Sequence, residues 1–389
     1  MDYSISSRAA SLAPSLTLAI SAKAKELRAR GEDVIGLGAG EPDFDTPQHI
    51  KDAAAQALAD GFTKYTPSSG IPELRQAVAD KFQRDYGVAY EPSQIIVSCG
   101  GKHSCFNVIY ATCEAGDEVI IPAPYWLSYP EMAKLAGAKP VILDTTDETE
   151  FKVTPEQLRE AITPSTKLFI LNSPSNPTGS VYSADEIKAL GDVCVEKGVL
   201  IMSDDIYEKL LYDGAEFTSV TGFSGEHKAH TIIVHGLAKA YSMTGWRIGF
   251  LAAPKPIAQA INAVQSHSTS NATSFAQKGA VAALNGPQDH LDDWLAKFDE
   301  RRRYAAERLN NMPGISCINS KGAFYLFPNM AETGLKSAEF CERLLDQAKV
   351  AAVPGIAFGA DNNFRISYAT SMENIQTGMA RLEDFCKTL

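Results

Sequence analysis

The chain has 389 residues, 45% of them hydrophobic and 21% charged, enough for one large core and a second smaller one and unlike a disordered chain. Its net charge of −11, with lysine and arginine scattered rather than clustered, speaks against nucleic acid or an anionic membrane surface as a partner. Seven cysteines, an odd number with no CxxC pair, argue against a disulfide frame or a zinc ribbon and for a reducing compartment.

The N-terminal stretch MDYSISSRAASLAPSL lacks the basic start and apolar core of a secretory signal. No uncharged apolar run approaches the roughly 18 residues that span a bilayer, so a cytoplasmic protein is expected. The first forty-odd residues show little core-forming pattern beyond the helix-like LAISAKAKELRARG. GLGAGEPDF follows, a poor dinucleotide fingerprint because its glycines are spaced G-x-G-x-G and Glu-Pro-Asp replaces a helix start.

Between about residues 94 and 253 short apolar runs alternate with helix-like segments: QIIVS, EVIIP, PVILD, KLFILN, VLIMSD, TIIVHG and RIGFLAA. Each is apolar throughout, the signature of strands covered on both faces. Thr154-Pro155 with Gln157, and Ser183 with Glu186, read as capping boxes, the second helix ending at Gly198. The alternation predicts an α/β fold, a mostly parallel sheet with helices on both faces. Beyond about residue 285 the long helix HLDDWLAKFDERRRYAAERLNNM, then GAFYLFPNM, AEFCERLLDQAKV, NFRISYA and a last helix, predict a smaller α+β domain. The expected division is an arm and part of the small domain at 1–47, a large domain at 48–285 and the small domain at 286–389. His227, His230 and His235 lie near one another without an obvious fourth ligand, so surface positions are expected for them rather than a metal site.

In parallel sheets ligands collect at the carboxyl ends of strands. Those ends deliver Asn172 and Asn176, then Asp204, Asp205 and Tyr207, then Lys239, and Gly100-Gly101-Lys102 at a helix start. The glycine pair offers free N–H groups to an anion. A lysine among apolar neighbours loses its charge readily and becomes a nucleophile toward an aldehyde. Pyridoxal phosphate accounts for the whole set: Lys239 for the aldehyde, Asp204 for the ring nitrogen, Tyr207 and Asn176 for the phenolic oxygen, the helix start and Arg247 for the phosphate. Asp205 is the rival of Asp204, since adjacent strand residues face opposite ways.

GLAKAYSMTGWRIG resembles the lysine signature of the class-I pyridoxal-phosphate aminotransferases. NSPSNPTG, SDDIYE, APYWLSYPEM, AGEPDFDTP, KYTPSSGIPELR and FRISYATS resemble the family's other landmarks, in the same order, from about residue 14 to the end. The bacterial aspartate aminotransferases, with their aspartate/prephenate branch, are the most similar group. The resemblance implies a fold type I enzyme and a homodimer. It implies Lys239 as the Schiff-base lysine, Asp204 at the pyridinium, and Tyr207 and Asn176 at the ring hydroxyl. Arg247 with the backbone of Gly101 and Lys102 would hold the phosphate, Tyr65 the phosphate of the neighbouring subunit, and Trp126 would stack on the ring. Arg365, helped by the backbone of Gly40, would take the substrate α-carboxylate, with Trp126 and Asn176 beside it. Lys102, Ser15 and Thr17 would hold a second carboxylate, which favours aspartate or glutamate as donor and oxaloacetate or 2-oxoglutarate as acceptor. Plainer roles stand beside these: a helix cap for Ser15 and Thr17, an N–H alone from Lys102, a local role for Tyr65. An aromatic or prephenate aminotransferase, or less readily a lyase, would share the cofactor residues. Gly236, Ala238 and His235 depart from the family's frequent serine, serine and asparagine, and Gly236 removes a hydroxyl from the expected phosphate site.

Overall fold

The computed structural model describes residues 3–12 and 16–389. After the helix Leu16–Ala29 comes a two-residue strand, β1 (Ile35–Gly36). The next seven strands are β2 (Ile95–Ser98), β3 (Glu118–Ala123), β4 (Lys139–Asp144), β5 (Thr166–Asn172), β6 (Leu200–Asp204), β7 (Thr231–Gly236) and β8 (Gly249–Ala252). They form one sheet in the order β2-β8-β7-β6-β5-β3-β4, parallel except for β8, which runs against both its neighbours. All seven expected apolar runs are therefore strands of one sheet, and the α/β architecture stands.

Helices cover both faces. The helices Pro72–Tyr86 and Ser274–Asn285 pack on one side through Phe82, Val78 and Ala280. The helices Gly101–Thr112, Ser128–Ala136 and Lys255–Ser266 cover the other through Val108, Met132 and Ile261. Both capping boxes form: Thr154 and Gln157 open the helix Pro155–Ala161, and Ser183 and Glu186 open Ala184–Lys197, which stops at left-handed Gly198. One strand departs from the expectation of cover on both faces. β4 ends the sheet, and along PVILD no residue is fully buried, Ile142 being 37% exposed; an apolar run alone does not distinguish an edge from the centre.

The remaining strands, β9 (Tyr325–Leu326), β10 (Val350–Ala351), β11 (Val353–Pro354) and β12 (Phe364–Ser367), lie in the C-terminal part, β9, β11 and β12 as an antiparallel sheet. β1 pairs in parallel with β10, which ties residues near 35 to this part of the chain. The long helix His290–Asn310 joins Phe324, Phe340, Ile366 and the helix Met372–Cys386 in its core.

Two of the three neighbouring histidines are buried, contrary to the surface positions expected. His227 takes a hydrogen bond at Nδ1 from, or gives one to, Ser224 at 2.8 Å, and His235 is 1% exposed. His235 completes a buried ionic cluster that nothing in the sequence announced. Lys81 is 1% exposed; its Nζ lies 2.7 Å from Glu208 Oε1 and 2.9 Å from Asp85 Oδ2, with His235 Nε2 3.2 Å from the same Glu208 oxygen. Burial by itself depresses the Lys81 ammonium, but Glu208 and Asp85 outweigh it and hold that ammonium above its ordinary value. Burial and Lys81 keep His235 neutral. Its Nδ1 can then accept the Gly236 N–H at 2.7 Å.

Breaking such a buried pair leaves a carboxylate without its cation, at a cost of about 3–5 kcal/mol. Lys81→Met, which keeps the aliphatic stem, is expected to lower the calorimetric melting midpoint markedly; an unchanged midpoint would mean that water reaches Glu208 and Asp85.

Candidate active site

At the carboxyl ends of β5, β6 and β7 a cavity of about 570 Å³ opens toward the C-terminal part of the chain, a volume typical of small-molecule sites. The register explains the convergence: Asn172 at the end of β5 lies beside Asp204 at the end of β6, which lies beside Val234 near the end of β7. Asn172 Nδ2 donates to the Asp204 carbonyl at 2.9 Å and so locks the two tips together.

Lys239 follows β7, and its side chain lines the cavity. Its Nζ donates to the Gly40 carbonyl at 2.5 Å and stands 5.6 Å from the centre of the Phe324 ring. Burial, then the nearby Arg365 and Arg247 guanidinium groups, pull its amine down to about 8 against the opposing pull of Glu41 and Asp204. The neutral, nucleophilic amine is therefore far more populated near neutral pH than that of an ordinary lysine.

Of the two adjacent acids, Asp204 lines the cavity, while Asp205 turns away and accepts from Ser203 Oγ at 2.6 Å. Asp204 Oδ2 accepts from the Tyr129 hydroxyl at 2.6 Å and lies 3.6 Å from Cys105 Sγ. Oδ1 has only a long contact, 3.4 Å, from the Ile206 N–H.

The anion cradle is built by glycines. Gly100, at φ 91°, precedes the helix Gly101–Thr112, and a Cβ there would sit 2.5 Å from Arg247 Nη2. A Cβ at Gly249 would lie 2.3 Å from both Gly100 C and Gly101 N, so only bare backbone lets β8 press against the helix start. Arg247 itself adopts φ 54° and donates from Nη1 to the Thr244 carbonyl at 2.8 Å. Lys102 Nζ lies 4.9 Å from the centre of the Trp126 ring, and burial followed by Arg247 lowers its amine below the ordinary value.

From the opposite wall, Arg365 is 3% exposed and sits at 4.4 Å from the centre of the Tyr325 ring. Its Nη1 donates to Asn176 Oδ1 at 2.9 Å and its Nη2 to the Gly38 carbonyl at 3.0 Å, while Nε is buried without a partner among the described residues. Tyr207 and Tyr325 share a hydrogen bond between hydroxyls at 3.0 Å.

A family model described as Aminotransferase class I and II matches residues 32–382. The chain is 53% identical to an aspartate aminotransferase of Geobacillus stearothermophilus, over 98% of each chain. It is 47% identical to an aspartate/prephenate aminotransferase of Nitrosomonas europaea, over 97% of this chain and 98% of the other. A solved aspartate aminotransferase of Thermus thermophilus with maleate superimposes with a TM-score of 0.94 at 43% identity, covering both chains fully. The chain belongs to the class I and II aminotransferases.

The cavity of this aminotransferase is lined by Gly40, Gly101, Lys102, Trp126, Asn176, Asp204, Tyr207, Lys239, Arg247 and Arg365, all candidates named from the sequence. Tyr65 stands apart from it in the single chain, 92% exposed. Ser15 lies outside the described residues; Thr17 lies in the helix Leu16–Ala29, its side chain likewise outside what is described. Gly236 is less a lost hydroxyl than a close contact, since a Cβ would lie 3.1 Å from the Ile248 carbonyl oxygen and 3.2 Å from Gly249 Cα.

Tyr129, Tyr325, Glu41 and Arg28 are among the lining residues that escaped the sequence reasoning. Tyr129 and Glu41 sit inside motifs whose other members drew notice, and Tyr325 lies in a segment taken only as part of the small domain. Arg28 gave no signal, being one basic residue on a polar helix.

In the aminotransferase without cofactor, Lys239 modified by an amine-selective acylating reagent and mapped by mass spectrometry is expected to show a reactivity midpoint near pH 8. Arg365→Met removes a neighbouring positive charge and moves that midpoint upward. An unmoved midpoint would show that the charge of Arg365 is not felt at the amine.

Proposed function

We propose that this aminotransferase binds pyridoxal 5′-phosphate in the described cavity and moves the amino group of aspartate or glutamate to oxaloacetate or 2-oxoglutarate. The observation that carries the proposal is the placement of a buried amine near pKa 8, a buried carboxylate with one open oxygen and a glycine-built cradle around a single cavity. The class I and II aminotransferases as a family depend on this cofactor, and the donor set fits it. When bound, the cofactor supplies an aldehyde that condenses with amines and a protonated ring that withdraws electrons from the substrate α-carbon.

The chain's own residues would then divide the work. The N–H groups of Gly101 and Lys102, with Arg247, hold the phosphate at a helix N-terminus. Asp204 Oδ1 holds the ring nitrogen, and Tyr207 and the Asn176 amide group bond the ring hydroxyl, while Trp126 covers the ring. Arg365 takes the α-carboxylate in a two-pronged hydrogen bond, exchanging the contacts it makes with Asn176 and Gly38, and the Gly40 backbone N–H assists. Lys239 Nζ would take the proton from the substrate α-carbon as general base and, as general acid, deliver it to the cofactor carbon that carries the transferred nitrogen. Lys102, with Ser15 and Thr17, would hold the distal carboxylate; the Thermus relative solved with maleate, a dicarboxylate, supports a dicarboxylic ligand. Residues 1–47 and 286–389 act as the unit that closes over residues 48–285 and excludes water. The enzyme works as a cytoplasmic homodimer in which Tyr65, exposed in the single chain, reaches the other subunit's phosphate. A second acceptor, prephenate, is favoured by the Nitrosomonas relative's name; assays with oxaloacetate and prephenate as acceptors separate the two.

The test is an absorbance spectrum of purified protein before and after aspartate. A visible band that aspartate converts to one at shorter wavelength, and that fails to form in Lys239→Ala, is expected. A Lys239→Ala variant with near-normal transamination would overturn the assignment. Lys102→Ala is expected to lose roughly one to two decades of kcat/KM for aspartate but not for phenylalanine, the worth of one charge-assisted contact. Equal losses on both would place Lys102 on the phosphate.

A further inference from the structure

Within the cofactor reading, one buried contact has no role yet: the hydroxyl of Tyr129 on Asp204. Tyr129 is 2% exposed and Asp204 6%. The 2.6 Å separation is the length of a strong bond to an ionised acceptor. Cys105, fully buried on the helix Gly101–Thr112, reaches the same oxygen at 3.6 Å. Tyr129 comes from a different element, the helix Ser128–Ala136, and its ring is fixed edge-on by Trp126 at 5.2 Å. Two independent elements of the fold thus converge on one oxygen of one carboxylate, and its other oxygen stays almost free at the cavity wall.

We infer that Tyr129, assisted by Cys105, is the positioning residue for Asp204: the two donors commit Oδ2 and leave Oδ1 aimed at the ring nitrogen of the bound cofactor. The inference rests on the cofactor reading above. It has an electrostatic consequence. Burial raises the Asp204 carboxyl above the ordinary range, and the Tyr129 hydroxyl is the strongest influence drawing it back, ahead of the Ile206 N–H, Cys105 and Lys239. Asp205 is the neighbouring acid, and Tyr207 also faces Asp204. Burial, followed by Asp204 itself, holds both the Tyr129 hydroxyl and the Cys105 thiol far above their ordinary values, so both act as neutral donors over the working pH range. Without Tyr129, Asp204 takes up a proton more easily and its pairing with a protonated ring nitrogen weakens. A bound ring without that proton would withdraw fewer electrons, so the Lys239 Nζ bonded to the cofactor would become more basic.

The experiment is Tyr129→Phe in the cofactor-loaded enzyme, which keeps the ring and deletes one oxygen. The pH midpoint of the bound cofactor's visible absorbance is expected to rise, in the direction given by Asp204→Asn but by less. Pyridoxal phosphate should bind about tenfold or more weakly, and kcat for aspartate should fall about 10- to 100-fold, as for loss of one hydrogen bond to a charged group, with KM for aspartate nearly unchanged. A purely structural role would lower the melting temperature without moving the absorbance midpoint, and that result overturns the inference, as does a variant indistinguishable from the parent. Should Tyr129→Phe fail to fold, Cys105 provides the second arm: Cys105→Val, which deletes the weaker donor, raises the midpoint, and Cys105→Ser, a stronger donor, lowers it. Midpoints that stay put in both variants refute the two-donor clamp. A parent enzyme that takes up no pyridoxal phosphate removes the cofactor reading and this inference together. A parent that loads normally beside a silent Tyr129→Phe removes the inference alone.

Discussion

The structure turns on a lysine amine placed where its charge is poorly tolerated. Lys239 points into a cavity lined also by the guanidinium groups of Arg28, Arg247 and Arg365 and by the carboxylates of Glu41 and Asp204. Burial dominates and the cations add to it. Arg365 and Arg247 add like charge beside an amine already short of water, which favours its neutral form further. On the proposed reading the same arginines would receive the anionic groups of the ligands. One arrangement would thus lower the pKa of the amine when the site is empty of anions and, on the proposed reading, bind carboxylate and phosphate when they come.

Such a concentration of charge needs rigid support, and the fold provides it from the backbone. Carbonyl groups of one extended glycine-rich segment restrain both key cations: Gly38 accepts from Arg365 and Gly40 from Lys239. A Cβ at Gly40 would lie 3.1 Å from the Tyr325 hydroxyl oxygen, so the absence of side chains lets this segment form the cavity wall. Behind the opposite wall, the Lys81–Glu208–His235 cluster fastens the helix Pro72–Tyr86 to the turn that carries Tyr207 and to the strand end before Lys239. A charge pair inside the protein here serves geometry, because its members face one another and not the ligand.

The sequence revealed the fold where local chemistry decides it. Fully buried parallel strands read as unbroken β-branched runs, and hydroxyl–carboxamide or hydroxyl–carboxylate pairs marked two helix starts. It misjudged β4, because PVILD is as apolar as a central strand and only its place at the end of the sheet leaves Ile142 37% exposed. It also misjudged His227 and His235: a histidine is buried or exposed according to partners distant in the chain, here Glu208 for His235. In the site, residues at strand tips were legible since the tips of a parallel sheet must converge. Tyr129 and Tyr325 were not, as a tyrosine in an apolar helix or strand looks like core until the acceptor or partner of its hydroxyl is known. Of the two adjacent acids, strand alternation said that one faces in, and Asp204 is the one that lines the cavity.

The central claim is that the amine of Lys239 is the group that captures the cofactor's carbonyl carbon. Reduction of the loaded enzyme with borohydride, digestion and mass mapping of the labelled peptide tests it most directly. The account predicts a single pyridoxyl adduct on the peptide containing Lys239. An adduct on Lys102 or any other lysine, or no adduct at all in protein shown to hold the cofactor, would contradict it.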